Sequence, residues 1–395
     1  MPTDRTRKFT LPGIQDLNKN QDAALALPLE GQHLIIGGPG TGKSVVALLR
    51  AKRLTEEKQK YRVLVYNYLL DTSNRHLFGK EADFISETWD KWFRDLYRYV
   101  FKTSIPTLEE TSSGYRPIDW SSVAHLTASE TISPVFDSSY FLVIDEGQDM
   151  PPQFYHMLVN WGLENFYVVA DQNQQLNPDI SSARRDIEDA LGIGTKDTLE
   201  FKSNYRNTRP IALLAQHFNP GDPASPTPDL PEASPAAQTP ELWVYGEPQA
   251  LGFSEIINRI LVLSDRYPKK LIGIITPNNK VREKYILAFN HANPILDNGK
   301  PPIQTYSSDN KQELDFGQGG ITVINAQSCK GLEFDIVILA DIDLHQPKQD
   351  VHTLKARFYV MVSRAQEQVI LLRTGTVDPV VEELLPKDTT ILMRK

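Results

Sequence analysis

The chain has 395 residues, 40% of them apolar and 23% charged, the balance of a globular protein long enough for two domains of ordinary size. Its formal net charge of −8 argues against coating duplex DNA over one broad basic face, although a basic groove on an acidic body fits the same sum. One cysteine, Cys329, excludes an internal disulfide, a cysteine-rich zinc site and an iron–sulfur cluster. The first ten residues are polar and no apolar run reaches membrane-spanning length, so a cytoplasmic protein away from any membrane is expected.

The first apolar run, residues 33–36, leads into Gly37-Gly38-Pro39-Gly40-Thr41-Gly42-Lys43-Ser44, and the apolar residues 45–49 follow. Strand, glycine-rich turn and helix in that order form a phosphate-binding loop. Backbone N–H groups from Gly38, Gly40, Thr41 and Gly42 cradle the phosphates, and Pro39 belongs to the same binding loop without an N–H of its own. Lys43 supplies a point charge, and the Ser44 hydroxyl is placed to hold Mg²⁺. A nucleoside triphosphate is the expected ligand.

A strand pattern at 63–66 precedes a second strong element. The apolar run 141–144 ends in Asp145-Glu146-Gly147-Gln148-Asp149. Asp145 is placed to share Mg²⁺ with Ser44, and Glu146 to act as general base on a water in line with the γ-phosphate. The strand 167–170 follows, with Gln174 beyond it as a candidate γ-phosphate sensor. Residues 219–240 carry seven prolines and almost no large apolar side chain, which reads as an extended linker or surface loop, either a spacer or a docking segment. Beyond it come strand patterns at 242–245, 271–275, 321–324, 336–339 and 369–372, with amphipathic helices at 254–264 and 279–289. Short apolar runs alternating with helices indicate parallel sheets of the α/β class.

The order of these elements resembles the UvrD/Rep branch of superfamily 1 helicases over nearly the whole chain. The matching residues are Gln21; the loop 37–44; Thr88-Trp89-Asp90-Lys91-Trp92; Asp145-Glu146-Gly147-Gln148-Asp149; Gln174; Asn204-Tyr205-Arg206; Lys330-Gly331-Leu332-Glu333; and Arg364. The resemblance implies two RecA-like P-loop NTPase domains with ATP at the cleft between them. It implies that Gln21 reads adenine, Tyr205 stacks on it, Glu333 holds the ribose, and Arg206 reaches the γ-phosphate. Arg364 falls at the arginine finger, a group that is worth about 10³–10⁵ in rate where it acts. By the same resemblance Asn67, Tyr68, Trp89 and Gln327 fall at nucleic-acid contact positions.

The expected organisation is an ATP-binding domain over 1–215, a proline-rich linker or loop over 216–240, and a second domain over 241–395. The large insertions of unwinding relatives have little room here. The aromatic pair that usually follows the motif III glutamine is replaced by Gln175-Leu176-Asn177-Pro178. Base stacking is worth about 1–3 kcal/mol per base, so loss of that platform weakens binding unless Tyr66, Tyr68 or Trp89 substitutes; Trp89 and Trp92 better suit the buried face of an amphipathic helix. The expected activity is an Mg²⁺- and ATP-dependent translocase or helicase on single-stranded nucleic acid, DNA ahead of RNA. The resemblance places it in DNA repair or anti-phage defence beside a partner such as a nuclease. A nucleotide-gated interaction protein and an RNA-directed helicase are the alternatives.

Overall fold

The computed structural model describes all residues except 1–2, 80–83, 112–113, 129–134, 176–180, 247–251, 308–312, 347, 349 and 376–377. Among the described residues the strands form two sheets. The first contains β1 (Gln32–Gly37), β2 (Lys60–Val65), β3 (Ser86–Thr88), β4 (Tyr140–Ile144), β5 (Asn165–Ala170) and β6 (Leu199–Phe201), in the order β3-β2-β4-β5-β1-β6. The second contains β7 (Glu241–Tyr245), β8 (Leu271–Thr276), β9 (Ile303–Thr305), β10 (Gly320–Asn325), β11 (Phe334–Leu339), β12 (Ala365–Thr374) and β13 (Met393–Arg394), in the order β13-β7-β12-β11-β8-β10-β9. Every pairing is parallel.

Helices cover both faces of each sheet, so interior strands such as β5 and β8 are buried at every position and read as unbroken apolar runs. One face of the first sheet packs under helix Lys43–Glu56, through Val46, Ala47, Leu48 and Leu54. The other packs under helices Trp89–Phe101 and Pro152–Asn160. Full burial of one such aliphatic side chain is worth about 1.5–3 kcal/mol. This is the two-sheet α/β architecture expected of paired RecA-like domains.

Two segments cross between the lobes. Helix Arg209–Phe218 starts within the expected first domain and runs past its edge, and Ile211, Leu214, Ala215 and Phe218 pack in the core of the second sheet. The expected edge at 215 therefore falls inside a helix held by the second lobe. At the other end of the chain, Arg7 pairs with Asp335 at 2.8 Å, Arg5 donates to the Gly299 carbonyl at 3.0 Å, and Thr6 bridges Gln318. The second sheet is thus docked by residues that precede the first.

Candidate nucleotide site at the seam of the lobes

Strand order assembles the first half of the site. Because β4, β5 and β1 are neighbours, the residues just beyond their C-terminal ends meet: Asp145 and Glu146 after β4, Asp171 after β5, and the loop 37–44 after β1. The loop closes on Gly42, whose φ of +84° favours glycine and where an added Cβ would come within 2.1 Å of Gln21 Nε2 and displace that side chain. Gln21 donates to the Thr41 carbonyl at 3.0 Å and accepts from the Asn18 amide at 3.1 Å, which locks the preceding helix onto the loop. Lys43 is buried; its ammonium donates to the Gly38 carbonyl at 2.8 Å and lies 3.9 Å from Asp171. Burial pulls its pKa down, opposed by Asp171, Glu146 and Asp145.

Glu146 sits at φ +56°, a left-handed conformation that a non-glycine residue adopts at a cost and that recurs at functional sites. Burial alone would raise its pKa, but Lys330, Arg364 and Lys43 outweigh burial and hold the carboxyl below its ordinary value. Asp145 is the opposite case, pushed up to about 6 by burial and by Glu146. Its Oδ2 is buried without a hydrogen-bond partner, and the Ser44 hydroxyl is the neighbour that favours its charge. An unpartnered carboxylate oxygen beside a serine hydroxyl suits an oxygen-ligated divalent ion, so Ser44 and Asp145 fit Mg²⁺. No described cluster of three or more metal-ligating side chains exists, as befits an ion that keeps mostly water and phosphate oxygens.

The second lobe supplies the rest. Arg364, 2% exposed, donates to the Gln174 side-chain carbonyl across the seam and to the Val360 carbonyl at 3.0 Å. Arg206, just before the chain crosses to the second lobe, pairs with Glu333. Burial would raise the Glu333 pKa, but Arg206 and Gln366 bring it below its ordinary value. Tyr205, 59% exposed, keeps its ring free while its amide bonds the Gly40 carbonyl at 2.8 Å. The structure therefore brings Gln21, Lys43, Ser44, Asp145, Glu146, Gln174, Tyr205, Arg206, Glu333 and Arg364 to one seam.

Four members of this seam were given no role by the sequence. Lys330, fully buried, pairs with Asp149 at 2.5 Å and donates to the Gln174 carbonyl at 2.5 Å. Burial pushes Asp149 up to about 7 even against Lys330; for Lys330, Asp149 and Glu146 overcome burial and raise its pKa. Gln148 donates to Glu146 at 2.6 Å and accepts from the Asp171 amide at 2.9 Å. Gln148 and Asp149 stand in a motif that was read, and Lys330 in another, so proximity to Glu146 was the available signal. Asp171 had none beyond its place after a strand.

The expected nucleic-acid residues divide. Asn67 caps helix Tyr68–Phe78 and reaches the Lys330 carbonyl at 3.3 Å. Tyr68, 37% exposed, stacks on Tyr306 of the second lobe at 5.8 Å between centroids and 15° between planes. Gln327 is exposed. Trp89 is a correction: it is 9% exposed and packs edge-on against Phe154 in the first core, on the buried face of its helix. The residues Leu176, Asn177 and Pro178 lie outside the described part of the chain.

A nucleotide loop on one parallel α/β lobe, with an arginine and a glutamate delivered from a second, defines a two-lobed P-loop NTPase. Residues 21–178 match the family model of an AAA domain, and residues 320–372 match that of the UvrD-like helicase C-terminal domain. These two matched segments indicate a UvrD-like superfamily 1 helicase. No curated protein sequence matches it. Among solved structures it is similar to the C-terminal domain of a possible DNA helicase from Lactobacillus plantarum WCFS1, at 16% identity and TM-score 0.34, over 49% of this chain and 99% of that one. It is also similar to the Arterivirus nonstructural protein 10 helicase solved with DNA, at 14% identity and TM-score 0.39, over 93% of this chain and 65% of that one. The fold stands on the two parallel sheets themselves and not on these distant likenesses.

Proposed function

We propose that this protein is an ATP-driven translocase on single-stranded nucleic acid, with DNA preferred to RNA, working in the cytoplasm beside a partner such as a nuclease. The observation that carries the reading is the contact of Arg364 with Gln174, which seats a second-lobe cation against the first-lobe phosphate pocket. Lys43 and the loop amides bind the phosphates, Gln21 and Tyr205 hold the adenine, and Glu333 exchanges Arg206 for the ribose. Glu146, kept ionised by its cationic neighbours, takes the proton of the attacking water. Arg206 and Arg364 neutralise charge spreading over the transferred phosphoryl group. Mg²⁺, held by Ser44 and Asp145, neutralises β- and γ-phosphate oxygens when bound.

Product release removes the anion that these cations share, so the seam loosens and re-forms once per cycle. A strand lying over both lobes, near Asn67, Tyr68 and Gln327, is carried by that motion. We place the working division of the lobes at the 204–208 crossing instead of at 215, because helix Arg209–Phe218 moves with the second core. The test is ATP turnover with no nucleic acid, with single-stranded DNA and with single-stranded RNA. Stimulation by DNA above RNA supports the reading; turnover indifferent to both removes the motor.

A further inference from the structure

The proline-rich segment is pinned against the first lobe at the phosphate pocket. The Asp229 amide donates to the Lys202 carbonyl at 2.6 Å and Arg184 reaches the Ala224 carbonyl at 3.3 Å, while Gln216, on the helix held by the second lobe, reaches the Pro228 carbonyl at 2.9 Å. Pro228 is buried against Gly38, where an added Cβ would come within 2.1 Å of its ring. Gly38 is the residue whose carbonyl accepts both Lys43 and Thr41, each at 2.8 Å. Three residues earlier, Ser225 is 4% exposed and donates its hydroxyl to Asp171 Oδ1 at 3.2 Å. The Asp222 amide donates to Asn173 Oδ1 at 2.8 Å, so the segment holds the turn that carries Gln174 at two points.

We propose that Ser225 is a positioning residue of the hydrolytic site, setting Gln174 through Asp171. Asp171 is fully buried, and its two oxygens have separate duties. Oδ1 accepts from Ser225 and from the Asn173 amide at 3.1 Å; Oδ2 accepts from Gln174 Nε2 at 2.6 Å. Fixing the nitrogen of the Gln174 amide turns its oxygen toward Arg364. Losing the Ser225 hydroxyl frees Asp171 to rotate toward Lys43, 3.9 Å away, and releases Gln174 from the orientation in which it meets the finger. Nucleotide affinity, set by Lys43 and the loop amides, is touched little. The proline-rich stretch thus acts as a brace that a seemingly separate part of the chain lends to the catalytic turn.

This proposal rests on the ATP-hydrolysing reading above, and the experiment separates the two. Steady-state ATP turnover with saturating single-stranded DNA is measured for the wild type, Ser225→Ala, Gln174→Ala and the double variant. A lost hydrogen bond to a charged group predicts that Ser225→Ala lowers kcat about tenfold with KM for ATP within about twofold. In the Gln174→Ala background the same substitution changes kcat by less than about twofold, because the residue it acts through is already gone. A Ser225→Ala enzyme with wild-type kcat overturns the proposal, as do losses that multiply in the double variant, the mark of a general structural role. Wild-type protein without ATP turnover overturns instead the reading on which both depend.

Discussion

The two ends of the interlobe seam are built from different chemistry. At the nucleotide end, Arg364 meets Gln174, Lys330 meets Asp149 and Arg206 meets Glu333, the first two pairs buried and the third half-buried. At the other end, the half-exposed ring pair Tyr68 on Tyr306, an edge-on contact of His76 with Phe316, Leu69 buried in the second core and an amide contact of 3.3 Å from Asn67 span the same gap. Charge-assisted contacts in a dry seam are strong, and parting them strands ions in low dielectric unless an anion takes their place. Parting aromatic and apolar contacts strands no charge and costs only packing energy. The seam is therefore charge-assisted at one end and aromatic and apolar at the other.

The sharpest break of this comparison is at the nucleotide end. Lys43→Ala and Arg364→Ala are each expected to lower ATP turnover by about 10³-fold or more, and Lys43→Ala also weakens nucleotide binding; turnover within tenfold of wild type in either would show that the charges are not catalytic. Next, Lys330→Ala leaves Asp149 buried beside Glu146 without its cation. Urea denaturation should show a loss of about 3–5 kcal/mol, the usual cost of breaking a buried pair, and a loss below about 1 kcal/mol would mean the seam is wetter than it looks. At the strand end the expected effect is smaller. Tyr306→Ala should weaken single-stranded DNA binding by the equivalent of about 1–3 kcal/mol, read by anisotropy of a labelled oligonucleotide; unchanged affinity would place the strand elsewhere.

A further expected effect is a slope with pH. Burial raises Asp149 to about 7 from 3.8, so the folded state holds a proton that the unfolded chain has released. Stability contributed there is present below the unfolded value and lost as pH rises toward about 7; Asp145, raised to about 6 by burial, has the same sign. Urea midpoints at pH 5 and 7.5 should fall more steeply for the wild type than for Asp149→Asn, and parallel slopes would show that Asp149 is ionised throughout.

The interior strands were legible in the sequence and the edge strands were not. β1, β2, β4, β5, β7, β8, β10, β11 and β12 follow apolar runs, whereas β3, β6, β9 and β13 stand at the four sheet edges and have two or three residues each. An edge strand is paired on one side and incompletely covered, so it needs no apolar run to announce it. The site divides likewise. Lys43, Ser44, Asp145 and Glu146 were legible because loop and strand fix their spacing. Trp89 looked like a base platform because composition cannot tell which side of a helix faces the core. Lys330 and Ser225 were silent because each acts through partners distant in the chain, and Asp171 because its link to Lys43 and Ser225 spans far positions.

Local order along the chain determined the phosphate loop, the acidic strand end and the α/β class, since each depends on residues within one turn or one strand of each other. Tertiary packing decided which cation faces which acid, why a proline-rich stretch rests on Gly38 and Asp171, and where one lobe ends and the next begins. Those outcomes depend on contacts between residues tens to hundreds of positions apart, such as Arg364 with Gln174 and Ser225 with Asp171. A short-range pattern carries no information about them until the sheets fix strand order and bring their C-terminal ends together.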